Sequence, residues 1–181
     1  MRGRPRAVNP EQLEEAATEL FFEQGYQHTS IDDIARRAGV SRATFFNYFP
    51  TKVDVLFRPI DRLLDEVEAL VRGGTHPLQA IDAVAERVGR SDLPLVATQA
   101  DTMLAQEDVA LAGPLRADRL RRILALGLPD PLAQAVLAAA VAHACVQWSL
   151  EPPSPHTLVS RIRAARERVT TGLGAVDLTS R

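Results

Sequence analysis

Apolar residues recur at helical spacing along most of the chain, and the first run of them is the clearest. Its members lie at i, i+3, i+4, i+7 and i+8, so they share one face of a helix. These residues are Leu13, Ala16, Ala17, Leu20 and Phe21. Asn9 followed by Pro10 is a typical helix start, and Gly25 is a typical stop. The pattern therefore predicts a long amphipathic helix at the start of the chain.

Two short helices are predicted next, joined by a tight turn that contains glycine. The first begins at Thr29 or Ser30 and ends at Gly39, and the second begins after Ser41. Their predicted buried positions are Ile31, Ile34, Ala35, Ala38, Phe45 and Phe49. A longer supporting helix followed by two short ones is the sequence form of a helix-turn-helix.

The rest of the chain repeats the same helical pattern with proline and glycine between its segments. Thr51 caps a fourth helix that Pro59 is expected to bend, while Gly113 and Pro114 are expected to split a later one. Leu115 to Leu126 would form the second half of that split helix. Strand-like alternation and internal repeats are both absent from the sequence. The predicted fold is all-α, with nine or ten helices.

The predicted domains follow from this pattern. Residues 1–8 form a basic N-terminal arm, 9–52 a three-helix head containing the helix-turn-helix, 53–175 a body of about six helices, and 176–181 a tail.

Charge and composition narrow the possible functions. The net charge of −2 is not typical of a nucleic-acid-binding protein, but cationic residues are concentrated in residues 2–6 and 36–52. We see no signal peptide and no uninterrupted apolar run of membrane length, so we expect a cytoplasmic protein without a membrane partner. Cys145 is the single cysteine, and no metal-ligand spacing is present, so no metal or cofactor is predicted. The absence of a catalytic triad order or a phosphate loop argues against an enzyme.

The segment from Leu13 to Lys52 (LEEAATELFFEQGYQHTSIDDIARRAGVSRATFFNYFPTK) closely resembles the DNA-binding head of TetR-family regulators. Matching features include the Gly25-Tyr26 pair, the glycine turn before Ser41 and the closing lysine. The resemblance implies a homodimeric transcriptional regulator that binds a palindromic operator in double-stranded DNA. It further implies a repressor that an unknown small-molecule effector releases.

The resemblance also assigns roles in the head. Arg42 would offer a bidentate donor pair to guanine, and Thr44 would contact a base edge or a thymine methyl. Tyr48, Lys52 and the helix start at Thr29 and Ser30 would hold phosphates. Phe46 stands where most family members carry tyrosine, and it is therefore left out of the contact set. The full predicted set is Arg4, Thr29, Ser30, Arg42, Ala43, Thr44, Asn47, Tyr48 and Lys52.

Two cationic features of the sequence allow two interpretations each. Arg2-Gly3-Arg4-Pro5-Arg6 resembles a minor-groove AT-hook, but a disordered arm that adds phosphate attraction explains it equally well. Arg36 and Arg37 could reach DNA, although a charged pair near a helix end is more often a solvated face.

The body offers candidates for effector binding and for dimerisation. Polar residues that interrupt an apolar helix suit a small-molecule pocket, though the polar side of a surface helix gives the same spacing. The predicted ligand-binding residues are Gln99, Thr102, Met103 and His143. The apolar run from residue 131 to 148 and the last helix suggest a dimer interface, as the family resemblance implies. The predicted interface residues are Val136, Ala140, Leu158, Ile162, Ala165 and Val169.

A second function stays open at this point. A helix-turn-helix protein could bind DNA or a protein partner without any effector. The fourth helix, which leaves the head and enters the body, is our candidate for carrying a signal between them.

Overall fold

A computed structural model describes residues 9–89, 106–151 and 156–172. Within these residues the chain forms eight α-helices and no strand, in agreement with the all-α prediction. The helices are α1 Pro10–Gln24, α2 Ile31–Arg37, α3 Arg42–Phe46, α4 Lys52–Arg72, α5 Pro77–Ala85, α6 Gln106–Leu124, α7 Pro131–Leu150 and α8 Leu158–Gly172. The predictions for Arg4, Gln99, Thr102, Met103, the arm and the tail fall outside the described residues.

The first three helices begin where the local sequence signals place them, and α1 also ends at its predicted glycine. The Asn9 side chain accepts a hydrogen bond from the backbone N–H of Glu11, and all five predicted apolar residues of α1 are buried. Gly25 ends α1 in the left-handed region, at φ 84°. Ser30 caps α2 and Ser41 caps α3, each by accepting a hydrogen bond from the N–H three residues later.

One predicted break in a helix is wrong. Helix α6 runs without interruption through Gly113 and Pro114. Proline removes one backbone donor from the helix, but contacts with other parts of the molecule hold α6 on both sides of it. Ala112 is buried, and Arg116 forms ion pairs with α4. Helix α4 likewise continues across Pro59.

The described residues form two hydrophobic cores. The head core lies between α1, α2, α3 and the first turns of α4, while the body core lies between the rest of α4 and helices α5 to α8. Ala112 of α6 belongs to the head core, whereas Leu120, Ile123 and Leu124 of the same helix belong to the body core. Helices α4 and α6 therefore both connect the head to the body.

Two glycines are expected to respond in opposite ways to substitution by alanine. A Cβ atom on Gly127 would lie 2.7 Å from Cδ of Pro77, a fully buried and rigid ring, so we expect Gly127→Ala to destabilise the protein by about 1–3 kcal/mol. A Cβ atom on Gly113 meets nothing within 4 Å, so Gly113→Ala should stabilise α6 by about 0.5–1 kcal/mol. Urea denaturation measures both: a stabilising Gly127→Ala would contradict the packing at Pro77, and a destabilising Gly113→Ala would contradict the open space beside Gly113.

Candidate DNA-binding surface

Helix α3 and the two residues that follow it present exposed side chains above a buried aromatic layer. Arg42, Ala43, Asn47 and Tyr48 are all exposed, as the predicted contact set requires. Beneath them Phe45 is completely buried, and its ring centroid lies 5.6 Å from that of the buried Phe49. This packing fixes α3 against the head core and leaves its outer face open to a ligand.

Two neighbours that the sequence reasoning did not assign hold the Arg42 guanidinium. Its carbon Cζ lies 5.3 Å from the centroid of the Phe46 ring, and its Nη1 donates to the Asp32 carboxylate at 3.0 Å. The i, i+4 spacing of Arg42 and Phe46 could have indicated the stacking. Asp32 belongs to α2, and no pattern in the sequence indicates its contact with α3.

The side chain of Thr29 is buried, so that a phosphate contact at this residue stays a prediction for the backbone of the helix start. Only 1% of the residue is exposed, because its hydroxyl donates to the carbonyl oxygen of Gly25 at 2.8 Å and lies 3.3 Å from that of Leu20. Thr29 therefore closes the turn after α1 inside the head.

Ser30 is exposed, but its polar groups already have partners. Its hydroxyl donates to the Asp33 carboxylate at 2.6 Å, and its backbone N–H donates to the same carboxylate at 3.0 Å. The hydrogen bond from the Ser30 hydroxyl is the main reason why the pKa of Asp33 is below its ordinary value. The start of α2 thus already has an internal anion at the place where the sequence predicts a phosphate.

The Lys52 ammonium, which the sequence predicts as a phosphate contact, already has partners within the chain. Its ammonium donates to the backbone carbonyl oxygens of Tyr26 at 2.7 Å and Thr29 at 3.0 Å, and it lies 3.9 Å from the centroid of the Tyr26 ring. Burial lowers the pKa of this ammonium. Lys52 fastens α4 to the turn between α1 and α2, so a phosphate would have to displace these contacts.

The arginine pair at the end of α2 has two different environments. Arg37 bonds the carboxylates of Glu19 and Glu23 on α1 at distances of 2.6–3.0 Å. Arg36 is highly exposed and pairs with Asp33 of its own helix. Arg37 therefore binds α2 to α1, a contact that neither interpretation of the pair includes.

Comparisons with known proteins bear on this surface. The sequence model described as bacterial regulatory proteins, tetR family, matches residues 13–58, which contain the whole helix-turn-helix. Residues 13–58 of this chain therefore form a TetR-family DNA-binding domain.

Relatives of the TetR family match both the head alone and the whole fold. The transcriptional regulator HbdR of Aromatoleum sp. (strain CIB) is 42% identical over 74 residues, which make up 39% of this chain and 32% of that protein. The transcriptional activator FasR of Mycolicibacterium smegmatis is 36% identical over 86 residues, or 45% of this chain and 39% of that protein. The matched part of the chain thus spans less than half the length of these curated relatives.

A solved TetR-family structure extends the likeness to the body. Thermus thermophilus FadR, a transcriptional repressor crystallised with lauroyl-CoA, aligns with a TM-score of 0.53 and 25% identity over 96% of this chain and 99% of that one. The described part of the present chain therefore has a TetR-type head and body.

Helix α6 joins this TetR-type head to the body by polar as well as apolar contacts. The Tyr26 hydroxyl donates to the Asp108 carboxylate at 2.7 Å, and the ring of Tyr26 packs on Phe21. Burial, followed by this hydrogen bond, raises the pKa of Tyr26 well above its ordinary value. Arg116 bridges Asp54 and Asp61 on α4 at 2.8 and 2.9 Å. The sequence reasoning missed this connection because its residues are far apart along the chain.

The predicted interface residues do not lie on one exposed face. Leu158, Ile162 and Ala165 are buried in the chain's own body core, and this part of the prediction is therefore corrected. Val136, Ala140 and Val169 are half-buried. The last helix turns its apolar stripe inward, onto α7 and α5.

Helix α7 instead exposes a different stripe along its full length. The stripe consists of Leu132, Ala135, Ala139, His143, Val146 and Leu150. It includes His143, whose side chain is exposed at this outer face, so its predicted place in a ligand pocket is also corrected. By length and composition alone α7 is the one helix among the described residues that could cross a membrane, with a mean hydropathy of 1.3. This is weak evidence, because a helix that packs on a core passes the same test.

Proposed function

We propose that this chain is a transcriptional repressor that binds a palindromic operator as a homodimer and is released by a small-molecule effector. The observation that carries the proposal is the exposed face of α3, with Arg42 at its start and a buried phenylalanine layer beneath it. A helix that presents a guanidinium group, followed by a turn that presents an amide and a phenol, is suited to the major groove.

The α7 stripe supports dimerisation. Helix α7 has no charged residue, and three large apolar side chains of the stripe, Leu132, Val146 and Leu150, are 54–67% exposed. A stripe of this length on an isolated chain is typical of a surface that a partner covers. A second copy is the natural partner, since a palindromic operator has two-fold symmetry and the protein that binds it needs the same symmetry.

Helices α4 and α6 support a response to an effector. An effector that binds within the body would shift helices that also belong to the head core. When α4 and α6 shift, the distance between α3 and the α3 helix of the second copy would change. Such a ligand has to favour one conformer over the other by several kcal/mol to release most of the protein from DNA.

The proposal also includes an effector and a compartment. Lauroyl-CoA is the first compound to test, because a related repressor of similar fold was crystallised with it. A cytoplasmic location follows from chromosomal DNA as the partner. The activator FasR among the relatives makes the direction of regulation a matter for experiment.

Selection from randomised inverted-repeat duplexes at low salt tests the proposed DNA binding. We expect the full chain to enrich a palindrome, and Arg42→Ala to bind that palindrome about 5- to 150-fold more weakly per half-site, the value of one bidentate contact to guanine. Arg72→Ala is the control, because Arg72 is a comparably exposed, ion-paired arginine at the far end of α4. Failure of the wild-type protein to enrich any sequence would contradict the proposal.

A release assay on the selected duplex tests the effector. We expect lauroyl-CoA to release the protein and free coenzyme A not to do so. If no acyl-CoA of any chain length releases it, this ligand class is wrong. If a reporter gene is also repressed constitutively, the alternative function, DNA binding without an effector, is favoured.

A further inference from the structure

We propose that Asp32 and Phe46 determine the sequence specificity of the head by holding Arg42 in one orientation. This inference rests on the proposed function, since it concerns how the α3 face discriminates between base pairs.

Phe46 acts as a fixed platform for the guanidinium. Its ring meets the completely buried Phe45 ring edge-on, at 87° and a centroid distance of 5.7 Å, so the head core limits its movement. Arg42 lies one helical turn earlier, with Cζ 5.3 Å from the Phe46 centroid. Stacking on an aromatic face uses the plane of the guanidinium and leaves its N–H donors available at the edge.

Asp32 fixes the remaining freedom of Arg42. Its carboxylate accepts from Nη1 at 3.0 Å, and α2 holds Asp32 in place through the capping box of Ser30 and Asp33. A guanidinium has five N–H donors, so one bond to Asp32 leaves enough for a bidentate contact with guanine O6 and N7. The side chain is thereby ordered before DNA arrives, and ordering it costs less on binding.

The charge of Asp32 also acts against unspecific binding. Both partners of the pair are more than half exposed, at 57% for Arg42 and 60% for Asp32, on the side of the head that would face DNA. An arginine without this partner could swing to the nearest phosphate, which is the same in every sequence. The exposed carboxylate of Asp32 weakens that alternative because it repels the phosphate. The pair therefore lowers the affinity for DNA of any sequence and raises the discrimination between sequences.

Competition binding measures this discrimination. The selected palindrome is compared with the same duplex changed at the guanine that Arg42 contacts, and with an unrelated duplex, at one fixed salt concentration. We expect Asp32→Asn to bind the unrelated duplex more tightly, and to lose about fivefold to tenfold of the preference for the palindrome over the changed duplex.

The two substitutions of Phe46 separate the role of its ring from that of its volume. Phe46→Leu should lose a similar part of the preference, whereas Phe46→Tyr keeps an aromatic face and should retain it. Glu86→Gln is the matched control, because Glu86 is a 54% exposed carboxylate that pairs with Arg163 at 2.8 Å in the body. Thermal unfolding of each variant shows whether the head is intact.

The outcomes distinguish this inference from the proposed function. A wild-type protein that prefers no sequence overturns the proposed function itself. A wild-type protein that selects a palindrome, with an unchanged preference in folded Asp32→Asn and Phe46→Leu variants, overturns the inference alone. An equal loss in Phe46→Tyr and Phe46→Leu would also overturn the role of the ring.

Discussion

Arg116→Ala is expected to lower the free energy of unfolding by about 3–5 kcal/mol, the usual result of removing one partner from a buried ion pair. The Arg116 side chain is 12% exposed and lies between the carboxylates of Asp54 and Asp61, which are 14% and 24% exposed. It meets Asp61 through two hydrogen bonds, and its Cζ lies 4.4 Å from the centroid of the Phe57 ring. Burial alone would lower the pKa of Arg116, but the hydrogen bonds that its guanidinium donates to Asp61 and Asp54 outweigh it and raise the pKa. Alanine would leave both carboxylates without this cation.

Urea denaturation followed by circular dichroism measures the loss. Arg163→Ala is the control, because Arg163 also bridges two acids, Asp82 and Glu86, but its side chain is 47% exposed. A solvent-exposed pair contributes about 1 kcal/mol or less. Equal losses in the two variants would contradict the structural role assigned to Arg116.

The same variant examines the path between body and head. Asp54 and Asp61 lie on either side of Pro59, so Arg116 fastens α6 to both halves of α4. If α6 carries the effector signal, a folded Arg116→Ala protein should bind its palindrome and respond less to effector.

The head could be predicted closely because its determinants are local. Asn9, Ser30 and Ser41 act on N–H groups two or three residues away, so the sequence alone places the helix starts. The buried positions of α1 likewise follow from spacing along one helix.

The sequence does not indicate the contacts that a side chain makes with a distant part of the chain. Lys52 finds two carbonyl oxygens that come together only when the turn after α1 packs against α4. Thr29 is recognisable as a helix start, but its burial depends on carbonyls of the preceding helix.

The body shows the same limit on a larger scale. The spacing of Leu158, Ile162 and Ala165 correctly indicates an apolar face, but periodicity does not reveal whether the chain itself or a second copy covers that face. The break predicted at Gly113 and Pro114 fails because Ala112 and Arg116 hold the helix through contacts outside it. Glycine and proline are therefore weaker evidence for a helix end than a capping residue is for a helix start. They do not end a helix whose residues before and after them pack on other parts of the chain.

The exposed stripe of α7 leads to the second large effect, that of Ala139→Glu. Ala139 lies on the exposed face near the middle of a helix without charges, at the centre of the surface where we propose that two copies pack. Burying an unpaired carboxylate there costs far more than the packing of one alanine contributes, so we expect the dimer to dissociate. Each monomer would then meet a single half-site and lose the gain of about 10²- to 10⁴-fold that linked binding provides.

Analytical ultracentrifugation and binding to the full palindrome measure these two consequences on one preparation. Ala83→Glu is the matched control, because Ala83 is an exposed alanine within α5, away from the stripe, and should leave both results unchanged. A dimer that survives Ala139→Glu with unaltered DNA affinity would place the two-fold interface elsewhere. Dissociation together with wild-type DNA affinity would instead show that one head suffices for binding, and the requirement for two-fold symmetry would then be wrong. The stripe predicts that the variant loses both the dimer and the affinity for the full palindrome while its helices still unfold cooperatively. The reason is that two α3 helices have to lie one helical turn of DNA apart to bind both half-sites at once.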